Sequence, residues 1–154
     1  MKKIFEIGEI PELGFIPEEM YAWVIREERL GVPEKAMQIE RMPVQKPGKD
    51  EVLVMVMAVG INYNNVWASQ GIPISVIGKE TGYHIGGSDA SGIVWAIGDN
   101  VKRWKVGDEV IIHCNRDDGD DEECNGGEPM YSRSQRIWGY ETNFGSLAPF
   151  SVVK

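Results

Sequence analysis

The stretch that most limits how this chain can fold is residues 51–61, Glu-Val-Leu-Val-Met-Val-Met-Ala-Val-Gly-Ile, an almost unbroken apolar run. A run of this length with turn formers at both ends fits a strand covered on both faces. The other apolar runs are shorter and equally fenced. Residues 20–26, Met-Tyr-Ala-Trp-Val-Ile-Arg, carry the aromatic and β-branched residues of a strand, and Gly31-Val-Pro33 reads as a turn. Residues 37–42 alternate Met37 and Ile39 against Gln38 and Glu40, as a half-exposed strand does, until Pro43 and the 46–50 cluster Lys-Pro-Gly-Lys-Asp. Residues 92–97 and 109–113 give two more strands, and 62–69 has room for one or two helical turns. Gly71, Pro73, Gly78 and Gly82 make 71–82 a loop, and Gly8, Pro11, Gly14 and Pro17 leave 1–17 as a lead-in on the surface. The sum is six or so short strands with scant helix and no alternation of strand and helix. That pattern predicts an all-β barrel or sandwich and not a doubly wound sheet.

The 154 residues suit one domain, on a scale of roughly 100–200 residues each. A chain of this size buries around 70% of its unfolded surface, so no disulfide or metal is required to hold it. A net charge of −8 argues against nucleic acid as a partner. No signal-peptide core follows Met1-Lys2-Lys3, and no apolar run approaches the ~18 residues of a membrane helix. The sequence therefore reads as cytoplasmic, where Cys114 and Cys124 are expected as free thiols.

Several apparent motifs fail on spacing. Gly78-Lys79 resembles a phosphate loop, but Glu80 stands where Ser or Thr is required. No Gly-x-Gly-x-x-Gly joins a strand to a helix. Residues 115–129 are acidic and Gly-rich, which reads as an exposed loop; the calcium-loop register puts Cys114 and Arg116 at ligand positions. His113, Cys114 and Cys124 match no zinc spacing, so no metal is expected. His84, among glycines, fits a satisfied structural residue better than a ligand. Trp67, Trp95 and Trp104 read as core or core rim.

Two groups of residues carry possible chemistry. Residues 135–145, Gln-Arg-Ile-Trp-Gly-Tyr-Glu-Thr-Asn-Phe-Gly, set Glu141 among Trp138, Tyr140 and Phe144. A carboxyl desolvated by such neighbours would rise toward the range useful in proton transfer; the plainer alternative is an aromatic turn with Glu141 solvated at its lip. Asn62, Asn64 and Asn65 follow directly on the most apolar strand, where their amides could polarise a carbonyl or hold a small neutral molecule. Helix capping accounts equally for one or two of them.

Residues 51–62, the segment Gly87-Ser-Asp-Ala-Ser-Gly-Ile-Val94, and Val106-Gly-Asp-Glu-Val110 together resemble the medium-chain dehydrogenase/reductase superfamily in its GroES-like catalytic domain. Zinc members of that superfamily have a Cys shortly after the buried strand and a Gly-His-Glu. Here residues 62–65 lack Cys and Ser88-Asp89 replaces His-Glu, so the resemblance is to the zinc-free branch. Within it, residues 62–67, 107–114 and 136–145 are similar to the crotonyl-CoA carboxylase/reductase and acryloyl-CoA reductase group. The acidic loop with Cys124-Asn-Gly-Gly127 and the short 71–82 segment look closest to the acryloyl-CoA reductases.

The resemblance implies a mainly β, partly open GroES-like barrel with short helices, over residues 19–154, preceded by a surface extension at 1–18. It implies an enzyme in which NADPH reduces an enoyl-CoA, the enolate then taking a proton or, in carboxylating members, CO2. It places Asn64, Tyr140 and Glu141 at the catalytic pocket, and Asn62 and Tyr63 on the nicotinamide side of the cofactor. Relative to that group the nucleotide-binding domain is expected outside this chain, in cis or in trans, so that the chain alone is inactive. Exposed apolar surface and homo-oligomers are expected with it. The competing class is a non-enzymatic β-domain serving as an assembly module.

Overall fold

The computed structural model describes residues 2–78 and 81–154, and Lys79 of the rejected phosphate-loop motif lies outside them. Among the described residues the first strand is β1 (Glu19–Arg26), followed by the one-turn helix α1 (Pro33–Ala36) where the sequence suggested only a turn. Strands β2 (Met37–Pro43) and β3 (Val52–Val59) lead to helix α2 (Tyr63–Gln70). The chain continues through β4 (Tyr83–Ile85), β5 (Ala90–Ile97), β6 (Glu109–Ile112), β7 (Asn115–Arg116), β8 (Arg136–Ile137) and β9 (Phe150–Val153). One antiparallel sheet has the order β2-β1-β4 and a second the order β6-β5-β3-β9; β7 and β8 form a short ribbon. The fold is mainly β, as expected, and its sheets do not close into a barrel.

β3 is, with β5, one of the two inner strands of the larger sheet, and its first half carries apolar side chains on both faces. Leu53 and Met55 pack toward the smaller sheet with Met20, Val24, Trp95 and Phe150. Val52 and Val54 face the other way, with Val94, Ile112 and Trp138. The expectation of two covered faces holds for this half of the strand only, since Met57, Ala58 and Val59 are exposed. The reason lies in the pairing: β9 runs beside Val52 to Met55 and stops, so the second half of β3 has β5 as its one neighbouring strand.

Residues 2–18 contain no strand and lie across the core edge, where the Trp95 indole N–H donates to the Phe15 carbonyl at 2.7 Å. Trp95 is buried, as expected, but Trp67 and Trp104 are exposed. The acidic segment after β7 is more organised than a solvated loop. The Asp121 carboxylate accepts the Cys124 and Arg133 N–H groups, both at 3.0 Å, and the Ser132 hydroxyl at 2.9 Å. A hydrogen bond from the Cys124 side chain, followed by the one from its N–H, holds the Asp121 carboxyl well below its usual range. Cys114 and Cys124 are free thiols. No described helix is long and apolar enough to cross a membrane.

Candidate functional site

The site begins where β3 hands over to α2. Asn62 is extended, at φ −134° and ψ 178°, and its Oδ1 accepts the Asn64 N–H at 2.9 Å, so it is the N-cap of α2. That bond decides which way the amide faces. Its Nδ2 donates to the Ser88 hydroxyl oxygen at 3.1 Å and to the Asp89 carboxylate. Asn64, on the first turn, points its own Nδ2 at the same Ser88 oxygen at 3.4 Å. Asn65 turns inward and is buried. Capping therefore explains one asparagine of the three, leaving Asn64 half-buried at an amide rim formed with Asn62, Ser88 and Asp89. Tyr63 is exposed and lies edge-on to Trp67, with ring centroids 5.3 Å apart.

The second part of the site is the turn after β8, and its aromatics do not gather around Glu141. Trp138 is buried behind the larger sheet and donates its indole N–H to the Val152 carbonyl at 3.2 Å. Tyr140 packs with Ile25, Ala68 and Val76 and donates its hydroxyl to the Ile72 carbonyl at 2.8 Å. Phe144 tilts against Tyr83 beside the core between the sheets. Each ring anchors the turn to a different cluster, and Glu141 is left outside, exposed, with its carboxylate accepting the Ile137 N–H at 2.8 Å. This corrects the expectation of a desolvated carboxyl: the plainer alternative, Glu141 solvated at the lip of an aromatic turn, is what is found. Burial raises the Tyr140 phenol above its ordinary value, and the neighbouring Glu141 carboxylate adds to the effect.

Backbone contact joins the two parts. A Cβ on Gly139 would overlap the Gly87 carbonyl oxygen, and one on Gly145 would stand 2.7 Å from the Gly139 Cα. Gly87 and Gly139 also have φ of 100° and 70°, which side-chain-bearing residues rarely adopt. The Ser146 and Leu147 N–H groups donate to the Gly87 and Gly86 carbonyls, both at 2.9 Å. His84 is fully buried beneath this junction, its Nε2 3.2 Å from the Gly139 carbonyl oxygen. A carbonyl only accepts, so Nε2 carries the proton. Burial lowers the His84 pKa from 6.5 to about 4, against the opposing effect of that hydrogen bond. The expected reading was a satisfied structural His; Nε2 is satisfied, while Nδ1 is buried with no hydrogen-bond partner among the described residues.

Sequence reasoning singled out Asn62, Tyr63, Asn64, Tyr140 and Glu141, and the structure brings Asn62 and Asn64 together on Ser88, with Tyr63 exposed between them in the chain and packed on Trp67. No hydrogen bond among the described residues links Asn64 to Glu141; their connection runs through the Gly87–Gly139 backbone. Ser88 was missed as a site residue. Its signal was present in Gly86-Gly87-Ser88, since two glycines that permit close backbone approach leave the next side chain in a fixed place.

The family model for the alcohol dehydrogenase GroES-like domain matches residues 48–154. A crotonyl-CoA carboxylase/reductase from Cereibacter sphaeroides is 64% identical over 99% of this chain, which spans 36% of that protein. An acryloyl-coenzyme A reductase from Sulfurisphaera tokodaii is 29% identical over 79% of the chain and 37% of its own length. The likeness is thus far stronger on the crotonyl-CoA side than the acidic loop suggested. A solved 2-octenoyl-CoA carboxylase reductase, CinF, in complex with NADP and 2-octenoyl-CoA, superposes with a TM-score of 0.82 at 35% identity, over 91% of this chain and 36% of that one. The chain therefore spans about a third of the length of these relatives.

Proposed function

The chain belongs to the alcohol dehydrogenase GroES-like domain family, within the medium-chain dehydrogenase/reductase superfamily, and we propose that it is the substrate-side catalytic domain of an NADPH-dependent enoyl-CoA reductase of the crotonyl-CoA carboxylase/reductase kind. The observation that carries this reading is the amide rim at the start of α2, where Asn64 is held on a buried hydroxyl in a chain 64% identical to a carboxylating reductase. The rim fits the nicotinamide end of the cofactor, since Asn64 has an amide N–H and its carbonyl oxygen available to a carboxamide, Tyr63 offers an open ring, and Asn62, whose own amide N–H groups are taken by Ser88 and Asp89, holds the rim in place. It does not fit the phosphates. They need a glycine-rich strand–helix turn that this sequence lacks, and so a nucleotide-binding domain in cis or in trans.

NADPH, when bound, supplies hydride to the β-carbon of the enoyl thioester. The electron pair of the double bond moves to the α-carbon and thioester oxygen as an enolate, which then bonds to a proton or to the carbon of CO2. Asn64 donates a neutral N–H to an oxygen of the small electrophile, orienting it without competing for the electron pair. Tyr140 enters as a fixed wall and not as an acid, because its hydroxyl is committed to Ile72 and its pKa is raised. Glu141, tied to the Ile137 N–H, orders polar groups at the lip of the turn. Zinc has no part in this reading: residues 62–65 contain no Cys, and Ser88-Asp89 offers a hydroxyl and one carboxylate in place of His-Glu. A homo-oligomer belongs to the same reading.

The test is NADPH oxidation with crotonyl-CoA and acryloyl-CoA, with and without bicarbonate, on this chain alone and on the chain extended through a nucleotide-binding domain. Activity only in the extended protein, with a bicarbonate-dependent product, is the expected outcome. An inactive extended protein with an intact fold would replace this reading with that of a binding module.

A further inference from the structure

Ser88 is almost fully buried, 1% exposed, between the glycine junction and the start of β5. Its hydroxyl oxygen has two lone pairs and carries one proton. Asn62 takes one lone pair, and the cap bond to the Asn64 N–H leaves Asn62 no alternative orientation. The second lone pair receives an Asn64 N–H. The other N–H and the carbonyl oxygen of the Asn64 amide make no hydrogen bond among the described residues. One buried oxygen thus fixes an otherwise free amide from behind and leaves its front open. A residue with no acceptor at position 88 would release Asn64 to rotate and leave two partly buried amides one acceptor short.

We propose that Ser88 is a positioning residue for enolate trapping: by holding the Asn64 amide it sets the partition between carboxylation and protonation. The inference rests on the enoyl-CoA reductase reading given above and goes beyond it in assigning the control of product outcome to a group that touches neither substrate nor cofactor. Other features carry less. The apolar groove beside β3 gives no indication of its occupant, and the Asp121 cluster is satisfied by its own loop.

The experiment measures the ratio of carboxylated to simply reduced product at fixed bicarbonate in the extended protein. The variants are Ser88→Ala, Ser88→Cys, Asn64→Leu and, as a control, Ser151→Ala. Ser151 is an equally buried serine on β9, away from the site. Ser88→Ala is expected to lower the ratio by about tenfold, a change of ~1.4 kcal/mol in relative barrier. Asn64→Leu is expected to lower it at least as far, and the two changes together no further than Asn64→Leu alone. Ser88→Cys keeps the shape with a much weaker acceptor, and carries the same test if Ser88→Ala does not fold. Ser151→Ala is expected to keep the wild-type ratio whatever its stability. A wild-type ratio in both Ser88 variants, with Asn64→Leu still altered, would overturn the role of Ser88 and leave the reductase reading standing. A wild-type ratio in Asn64→Leu as well would overturn the roles given to Ser88 and Asn64 and leave the reductase reading standing, and an inactive extended protein would overturn that reading and the inference with it.

Discussion

His84 shows how one residue's burial becomes a property of the whole protein. In the folded chain it is neutral and its pKa is lowered to about 4, while in the unfolded chain it titrates near 6.5. The unfolded state therefore binds the extra proton between these values. The stabilising effect is complete above pH 6.5 and is lost as the pH falls toward 4, by about 3 kcal/mol in all. Urea unfolding at pH ~7.5 and ~5 is expected to show a smaller fall in midpoint for His84→Gln than for wild type. The carboxylates and His113 are common to both proteins, so parallel behaviour would mean that His84 carries no proton-linked stability. Asn62 makes a second case. At an ordinary N-cap Asp serves as well as Asn, and Ala costs about 1 kcal/mol. Here the amide N–H also meets Asp89, so Asn62→Asp would set two carboxylates side by side. Asn62→Asp is expected to be at least as destabilising as Asn62→Ala, by chemical denaturation at neutral pH. A stability equal to wild type would show that the Asp89 contact does not matter.

At the scale of elements, what could be read in the sequence is what depends on local pattern. Residues 51–61, 92–97 and 109–113 were legible as strands because apolar runs fenced by turn formers have few other solutions. The exposed second half of β3 was not legible, because its cause is the length of β9, nearly a hundred residues away. The aromatic turn allowed two readings, Glu141 desolvated or solvated, for a related reason. Trp138, Tyr140 and Phe144 are close in sequence, but successive side chains leave a turn in different directions, and each found a different cluster. Proximity along the chain gave the members of the site without giving Glu141 its surroundings. The load on β3 yields a prediction of its own. Leu53 is fully buried and paired on both sides, to Ala96 and to Val152, so Leu53→Ala is expected to cost about 2–5 kcal/mol. A shift in urea midpoint corresponding to less than ~1 kcal/mol would contradict the central place given to this strand.

The molecule as a whole keeps an apolar groove of about 450 Å³ open beside the outer half of β3, lined by residues such as Ile7, Trp23, Ile39, Met57 and Val59. Exposed surface of this kind favours association, while a net charge of −8 opposes it. Sedimentation velocity is therefore expected to show self-association that strengthens with protein concentration and with added salt, which screens the repulsion. Met57→Glu is expected to weaken it, and a monomer at every concentration and ionic strength would count against the groove as the cause. The junction of Gly86, Gly87, Gly139 and Gly145 has a different kind of consequence, for how such a domain can diversify. Main chain there rests on main chain, so a single substitution cannot widen or narrow the gap between the Ser88 segment and the Glu141 turn without breaking the contact. New substrate preferences have to come from exchanging the side chains mounted on this frame, such as Asn64 or Tyr140, while the spacing between its two halves is inherited unchanged.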